Sequence, residues 1–156
     1  MPSCTFFGDK DTPEKIEPIL LSALEQLIKT HGVTMFYVGN NGTFDRIVRR
    51  ALREAKRIHK QIDYAVILAY RPFKKSSSEN DIDYSDTIYP HILEDTPPKY
   101  AIDRRNRWMI DKSSYVLTYV RHNIGEAAKF KEIAERKGLI VINLADVEED
   151  QKVTHV

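Results

Sequence analysis

Gly39-Asn40-Asn41-Gly42 follows the apolar run Met35–Val38 and precedes an amphipathic stretch. Glycines at such a junction let the backbone approach a ligand closely, and the N–H groups at the start of a following helix favour an anion such as phosphate. The same four residues also suit a tight turn. The glycine spacing fits neither the dinucleotide fingerprint nor a P-loop, so no cofactor is expected. Thr43 and Asp45 come next, and the Asp45 carboxylate would either complement the helix dipole or accept hydrogen bonds from sugar hydroxyls.

Three further stretches have similar potential. In Gly8-Asp9-Lys10-Asp11, Lys10 could meet a phosphate and Asp9 could orient a sugar or a water; the plain alternative is a charged capping loop. Arg104-Arg105-Asn106-Arg107-Trp108 is the densest cationic stretch, and guanidinium groups match phosphate oxygens in pairs. Neighbours on a helix point about 100° apart, so only one or two can face a ligand. Arg105, with Arg104 second, is the expected choice, and Trp108 is expected to pack. In Arg121-His122-Asn123-Ile124-Gly125-Glu126, Gly125 opens another helix start, and His122 is either a general acid or base or a surface residue. The carboxylates available for acid or base work at these loops are Asp9, Asp45 and Glu126.

The elements that must position these loops alternate regularly. Apolar runs at Cys4–Phe7, Met35–Val38, Tyr64–Leu68, Tyr115–Val120 and Leu139–Leu144 predict five strands. Such runs lack polar alternation, which implies a parallel sheet covered on both faces. Helical stripes lie between them. One runs from Ile16 to Ile28 after Pro13, and a second from Ile47 to Ile58. A third spans about Ile102–Lys112, and a fourth Glu126–Lys137, with Gly138 as its C-cap. The basic residues of the second helix, Arg46 to Lys60, read as a solvated face. The pattern predicts a three-layer α/β domain with strand order 3-2-1-4-5 and a ligand site at the switch point beyond the strands' carboxyl ends. Arg71 to about Lys99 reads as one long irregular loop, with Asp81, Asp83 and Asp86 as solubilising or capping residues. Residues 147–156 read as a frayed polar tail.

Composition narrows the function classes. The 156 residues fit one domain, and 24 basic against 23 acidic residues leave +1, without the net positive field that wraps nucleic acid. Cys4 is the single cysteine, so no internal disulfide forms and a reducing cytoplasm is expected. The longest apolar stretch, Ala65–Tyr70, falls far short of the ~20 residues that span a bilayer, and the N-terminus lacks signal-peptide features. The five histidines and one cysteine show no zinc-ligand spacing, so no metal is expected.

Taken in order, several stretches resemble the SLOG superfamily, the Rossmann-like domains related to DprA and to the LOG-type phosphoribohydrolases, and most of all its small stand-alone bacterial and phage members. They are Cys4-Thr5-Phe6-Phe7-Gly8, Phe36–Asn40 with Gly42 and Asp45, Asp83–Thr87, Arg105–Asp111 and Gly125–Lys129. The resemblance covers about residues 3–145. It implies a Rossmann-like fold, a pocket for a nucleoside monophosphate, an ADP-ribose-like molecule or a cyclic relative, and a homodimer. Gly8, Gly39, Gly42, Asp45, Arg105 and Gly125 would be pocket residues, joined by Lys10, Asn40, Thr43, Arg104 and His122 from the loops described above. Two departures stand out: Asp9 replaces a frequent histidine, and Lys131 stands where the hydrolases' glutamate would fall. The leading expectation is a binding protein that senses, carries or sequesters such a molecule. A hydrolase of nucleoside 5′-monophosphates using Glu126, Asp45 or Asp9 is the alternative, and single-stranded DNA binding ranks last.

Overall fold

Apolar strands without alternation need cover on both faces, and the computed structural model supplies it. The structure describes residues 2–71 and 86–154. Its strands are β1 (Ser3–Gly8), β2 (Met35–Val38), β3 (Asp63–Ile67), β4 (Thr87–Ile88), β5 (Tyr115–Tyr119) and β6 (Ile140–Asn143). They form one sheet in the order β4-β3-β2-β1-β5-β6, with every pairing parallel. The five expected strands thus take the expected order. The sixth, β4, adds to the β3 edge and is only two residues long, too short to leave a hydrophobic signature.

Side chains alternate across the sheet and build a core on each face. Cys4 and Phe6 of β1 point to one face, where Phe6 stacks on Phe36 at 6.1 Å. Leu20, Leu24 and Leu27 of α1 (Glu17–Lys29), Ile47, Val48 and Leu52 of α2 (Gly42–Ile58), and Leu144 of α5 (Leu144–Thr154) close over them. Phe7 points to the other face. There it meets Met109 and Ile110 of α3 (Ala101–Asp111) and Phe130 and Ala134 of α4 (Glu126–Arg136). Two helix layers around one sheet give the three-layer, Rossmann-like architecture.

Local chemistry sets several boundaries. Gly138, at φ 87°, ends α4: its N–H donates to Glu135 O and the Leu139 N–H to Ala134 O, both at 3.1 Å, the paired bonds of a Schellman motif. Pro13 precedes a 3-10 turn, Glu14–Ile16, and does not itself open α1. Ile58, expected inward, is 64% exposed at the last position of α2. The basic face of α2 is more engaged than a solvated face: Arg46 and Arg50 both bind Glu14, and Arg50 also binds Glu17, which fastens α2 to the start of α1.

Two regions differ from expectation. The segment from Arg71 to Lys99 is not irregular throughout. Besides β4 it holds 3-10 turns at His91–Asp95 and Pro98–Tyr100, gathered on a small cluster of Ala69, Leu93 and Ala101. Asp86 is exposed; Asp81 and Asp83 lie outside the described residues. The stretch expected to fray is helical to Thr154. α5 is anchored by buried Leu144 and Ala145, and by the Tyr119 hydroxyl donating to Glu148 at 2.9 Å. Among the described residues no helix is long and apolar enough to cross a membrane.

Gly8 ends β1 directly against the Phe44 ring. A Cβ on Gly8 would fall 2.2 Å from Phe44 Cγ, inside the ring's contact surface. Gly8→Ala should therefore lose roughly 1–3 kcal/mol in urea denaturation, and Phe44→Leu in the same chain should recover part of it. An alanine variant as stable as the wild type would show that the ring moves aside freely.

Candidate functional site

Parallel strands bring the loops after them to one edge of the sheet. At that edge a cavity of about 310 Å³ opens between the end of β1, the start of α2, α3 and the start of α4. This is the low end of the ~300–1,000 Å³ range of small-molecule sites. From β1 the wall takes Phe6, Phe7 and Gly8, from the loop after it Asp9 and Lys10, and from the start of α2 and the residue before it Asn41, Gly42 and Asp45. From α3 it takes Ile102, Arg105, Asn106 and Met109, spaced i, i+3, i+4 and i+7, one face of a helix. That periodicity separates the arginines. Arg105 faces in and is 2% exposed, whereas Arg104 faces solvent and Arg107 pairs with Asp103 at 2.6 Å on the outside. Glu126, Ala127 and Phe130 of α4 complete the wall. Phe130 stacks on Phe7 at 5.4 Å, giving the cavity an aromatic floor.

Arg105 organises the polar side. Its Nη1 donates to Asn41 Oδ1 at 2.9 Å and to Asn40 Oδ1 and Ile67 O at 3.3 Å, and its Nε donates to Asn106 Oδ1 at 2.9 Å. A guanidinium only donates, so both wall asparagines must turn their oxygens towards it and keep their NH2 groups for other partners. The Nη2 group makes no hydrogen bond to a described residue.

Asp45 is the second buried charge, 9% exposed. Its Oδ2 accepts the Asn41 N–H at 3.0 Å, its one hydrogen bond among the described residues. Burial pushes the carboxyl up to about 6, opposed by the Arg105 charge, the Asn41 N–H and Arg49. No direct ion pair joins Asp45 to Arg105. Both nevertheless crowd the same spot: a Cβ on Gly39 would lie 2.8 Å from Asp45 Oδ2 and 2.9 Å from Arg105 Cζ. Gly39 is needed because these two side chains occupy the space beside it.

The remaining expected residues divide. Asp9 lines the cavity, but its Oδ2 accepts from Arg121 N at 3.2 Å and Nε at 3.1 Å, while Arg121 Nη2 reaches Asp11 at 2.7 Å. This ion pair occupies Asp9 Oδ2. Lys10 and Glu126 line the cavity and are solvent-exposed. Gly42 and Gly125, at φ 89° and 108°, turn the chain into α2 and α4, and neither helix has a side-chain N-cap bond. Their first N–H groups are thus left for other acceptors. Gly39 and Asn40 sit behind the wall; Thr43, Gly125, Arg104 and His122 are not part of it. Lys131 pairs with Glu135 at 3.1 Å. Sequence reasoning passed over Asn41, Asn106, Phe7, Met109 and Phe130 as site residues. The inward period of α3, extended from Arg105 to its neighbours one turn away, would have found Asn106 and Met109. Among the described residues no cluster of His, Cys, Asp and Glu could hold a metal.

Asp45 has a consequence for stability. Folded, it keeps its proton up to about pH 6, whereas its ordinary value is 3.8. Between those values the folded chain holds more protons than the unfolded one, so stability falls as pH rises and the cost persists above pH 6. Asp45→Asn should stabilise the protein by roughly 2–3 kcal/mol at pH 7.5, from ~1.4 kcal/mol per pKa unit, and by almost nothing near pH 4. Urea titrations at both pH values check this; equal gains at the two would refute it.

Compared with models of known families and with curated proteins, the chain matches none.

Proposed function

We propose that the cavity binds a nucleotide-derived small molecule, a nucleoside monophosphate or an ADP-ribose-like molecule, and that the protein senses, carries or sequesters it. The observation that carries this reading is Arg105: a buried guanidinium, held by four hydrogen bonds, with its Nη2 edge uncommitted beside a cavity. Burying a cation without a contacting counter-charge is costly, and evolution tolerates such a cost where a ligand completes the set. The surroundings suit a nucleotide. An aromatic and aliphatic floor can take a base, buried polar groups can take a sugar, and exposed Lys10 with an uncapped helix start can take a phosphate.

One observation favours a catalytic version. A buried carboxyl that titrates near 6 is poised to give or take a proton near neutral pH, as cleavage of a glycosidic bond to a base requires. Asp45 is the residue on which a nucleoside 5′-monophosphate hydrolase would depend, with Glu126 second.

Two measurements test these readings. A thermal-shift panel of nucleoside mono- and diphosphates and ADP-ribose should raise the wild-type Tm for at least one compound, since a ligand at ~100 times its Kd adds about 2.7 kcal/mol. Arg105→Lys should shrink that shift by more than half, and a flat panel would end the nucleotide reading. Incubation with nucleoside monophosphates, with released base followed by chromatography, decides about turnover. Release that is abolished in Asp45→Asn or Glu126→Gln supports the hydrolase, and no release leaves the binder.

A further inference from the structure

The two buried charges of the cavity are arranged for something other than an ion pair. Asp45 and Arg105 both line the cavity and flank Gly39, where a Cβ would lie 2.8 Å from Asp45 Oδ2 and 2.9 Å from Arg105 Cζ, yet no ion pair joins them. Asp45 has an oxygen without a hydrogen bond to a described residue, and Arg105 has the Nη2 donor in the same state. A phosphate drawn to Arg105 would have to sit beside the Asp45 carboxylate, where a low dielectric magnifies repulsion between like charges. A ligand group that only donates would leave Nη2 unmet, and one that only accepts would leave the carboxylate unmet; each unmet buried polar group carries a desolvation cost.

A vicinal diol meets both demands. Each hydroxyl is donor and acceptor, and the two are held on adjacent carbons. We infer that the Asp45 carboxylate and the Arg105 guanidinium together read the cis-diol of a ribose, one hydroxyl donating to Asp45 and its neighbour accepting from Nη2. The inference rests on the nucleotide reading above and deepens it. It gives the inner wall to the sugar and leaves any phosphate to the outer rim, where Lys10 and the start of α4 lie. The NH2 groups of Asn41 and Asn106, freed because Arg105 holds both amide oxygens, supply further donors for sugar oxygens. The ligand class that follows is a ribonucleotide, as distinct from a deoxyribonucleotide or an inorganic anion.

The experiment is calorimetric titration of the wild-type protein with the four ribonucleoside 5′-monophosphates and ADP-ribose, and of every monophosphate that binds with its 2′-deoxy and 3′-deoxy counterparts. Loss of either hydroxyl should weaken binding by at least ~10-fold, because a site built to bond a hydroxyl rejects its absence strongly. In Asp45→Asn, with folding verified by its melting curve, discrimination against the deoxy form that lacks the hydroxyl bonded to Asp45 should fall to within about twofold, while discrimination against the form that lacks the Nη2-bonded hydroxyl should remain. Equal affinity for ribo and deoxy forms in the wild type would overturn the diol assignment while leaving the nucleotide reading in place. Undiminished discrimination in the asparagine variant would overturn Asp45's part in it. If no compound binds, both readings fall together. The wild-type comparison needs no variant, so it decides the matter even if Asp45→Asn does not fold.

Discussion

The buried guanidinium of Arg105 is the constraint around which the functional edge of this protein is arranged. It is carried by α3 on one face of the sheet, yet its bonds go to the loop after β2 and to the last residue of β3. One side chain thus ties three elements that are far apart in sequence. Its demands propagate outward. Gly39 must lack a side chain to make room for it. Asn40, Asn41 and Asn106 must present oxygens to it. Asp45 must stay near enough to temper its charge, and pays for that position in its own desolvation. A cation held this tightly loses little conformational freedom when a ligand arrives, which is what preorganisation means in energetic terms.

Around that centre the fold supplies position and the loops supply chemistry. The all-parallel sheet aligns the carboxyl ends of β1, β2 and β5, and the reversal of direction at β1 separates the loops that follow them. Two helix starts, at Gly42 and Gly125, face this edge without side-chain caps. The opposite charges on the rim are partly spoken for: Arg121 bridges Asp9 and Asp11, and Asp103 bridges Arg107 and Lys129. These exposed pairs contribute little to stability individually. Their effect is to fix which charges remain available to a ligand, chiefly Lys10, Glu126 and the buried pair.

Much of the architecture could be read from the residues because apolar runs and helical stripes are local signals. Met35–Val38 is the strand that its apolar run predicts, and α4 begins at the Glu126 that follows Gly125. β4 escaped because two residues carry no period, and α5 because its anchor is two residues and one tyrosine contact, not an apolar stripe. The site was partly legible. Arg105 could be preferred over Arg107 on helix geometry, and Asp45 could be singled out as a carboxylate near a glycine-rich helix start. Asp9 looked as available as Asp45, because its partner Arg121 is 112 positions away.

The chain's order of residues determined the alternation of strands and helices, the parallel sheet and the set of loops that could gather at its edge, since each depends on patterns a few residues long. Tertiary structure alone decided which of those residues do the same job together. It buried Asp45 and Arg105 side by side without pairing them, paired Asp9 with Arg121, left Arg104 and His122 exposed outside the cavity lining and made Phe7 and Phe130 its floor. Burial and charge proximity are properties of distances between segments, and no local pattern encodes them.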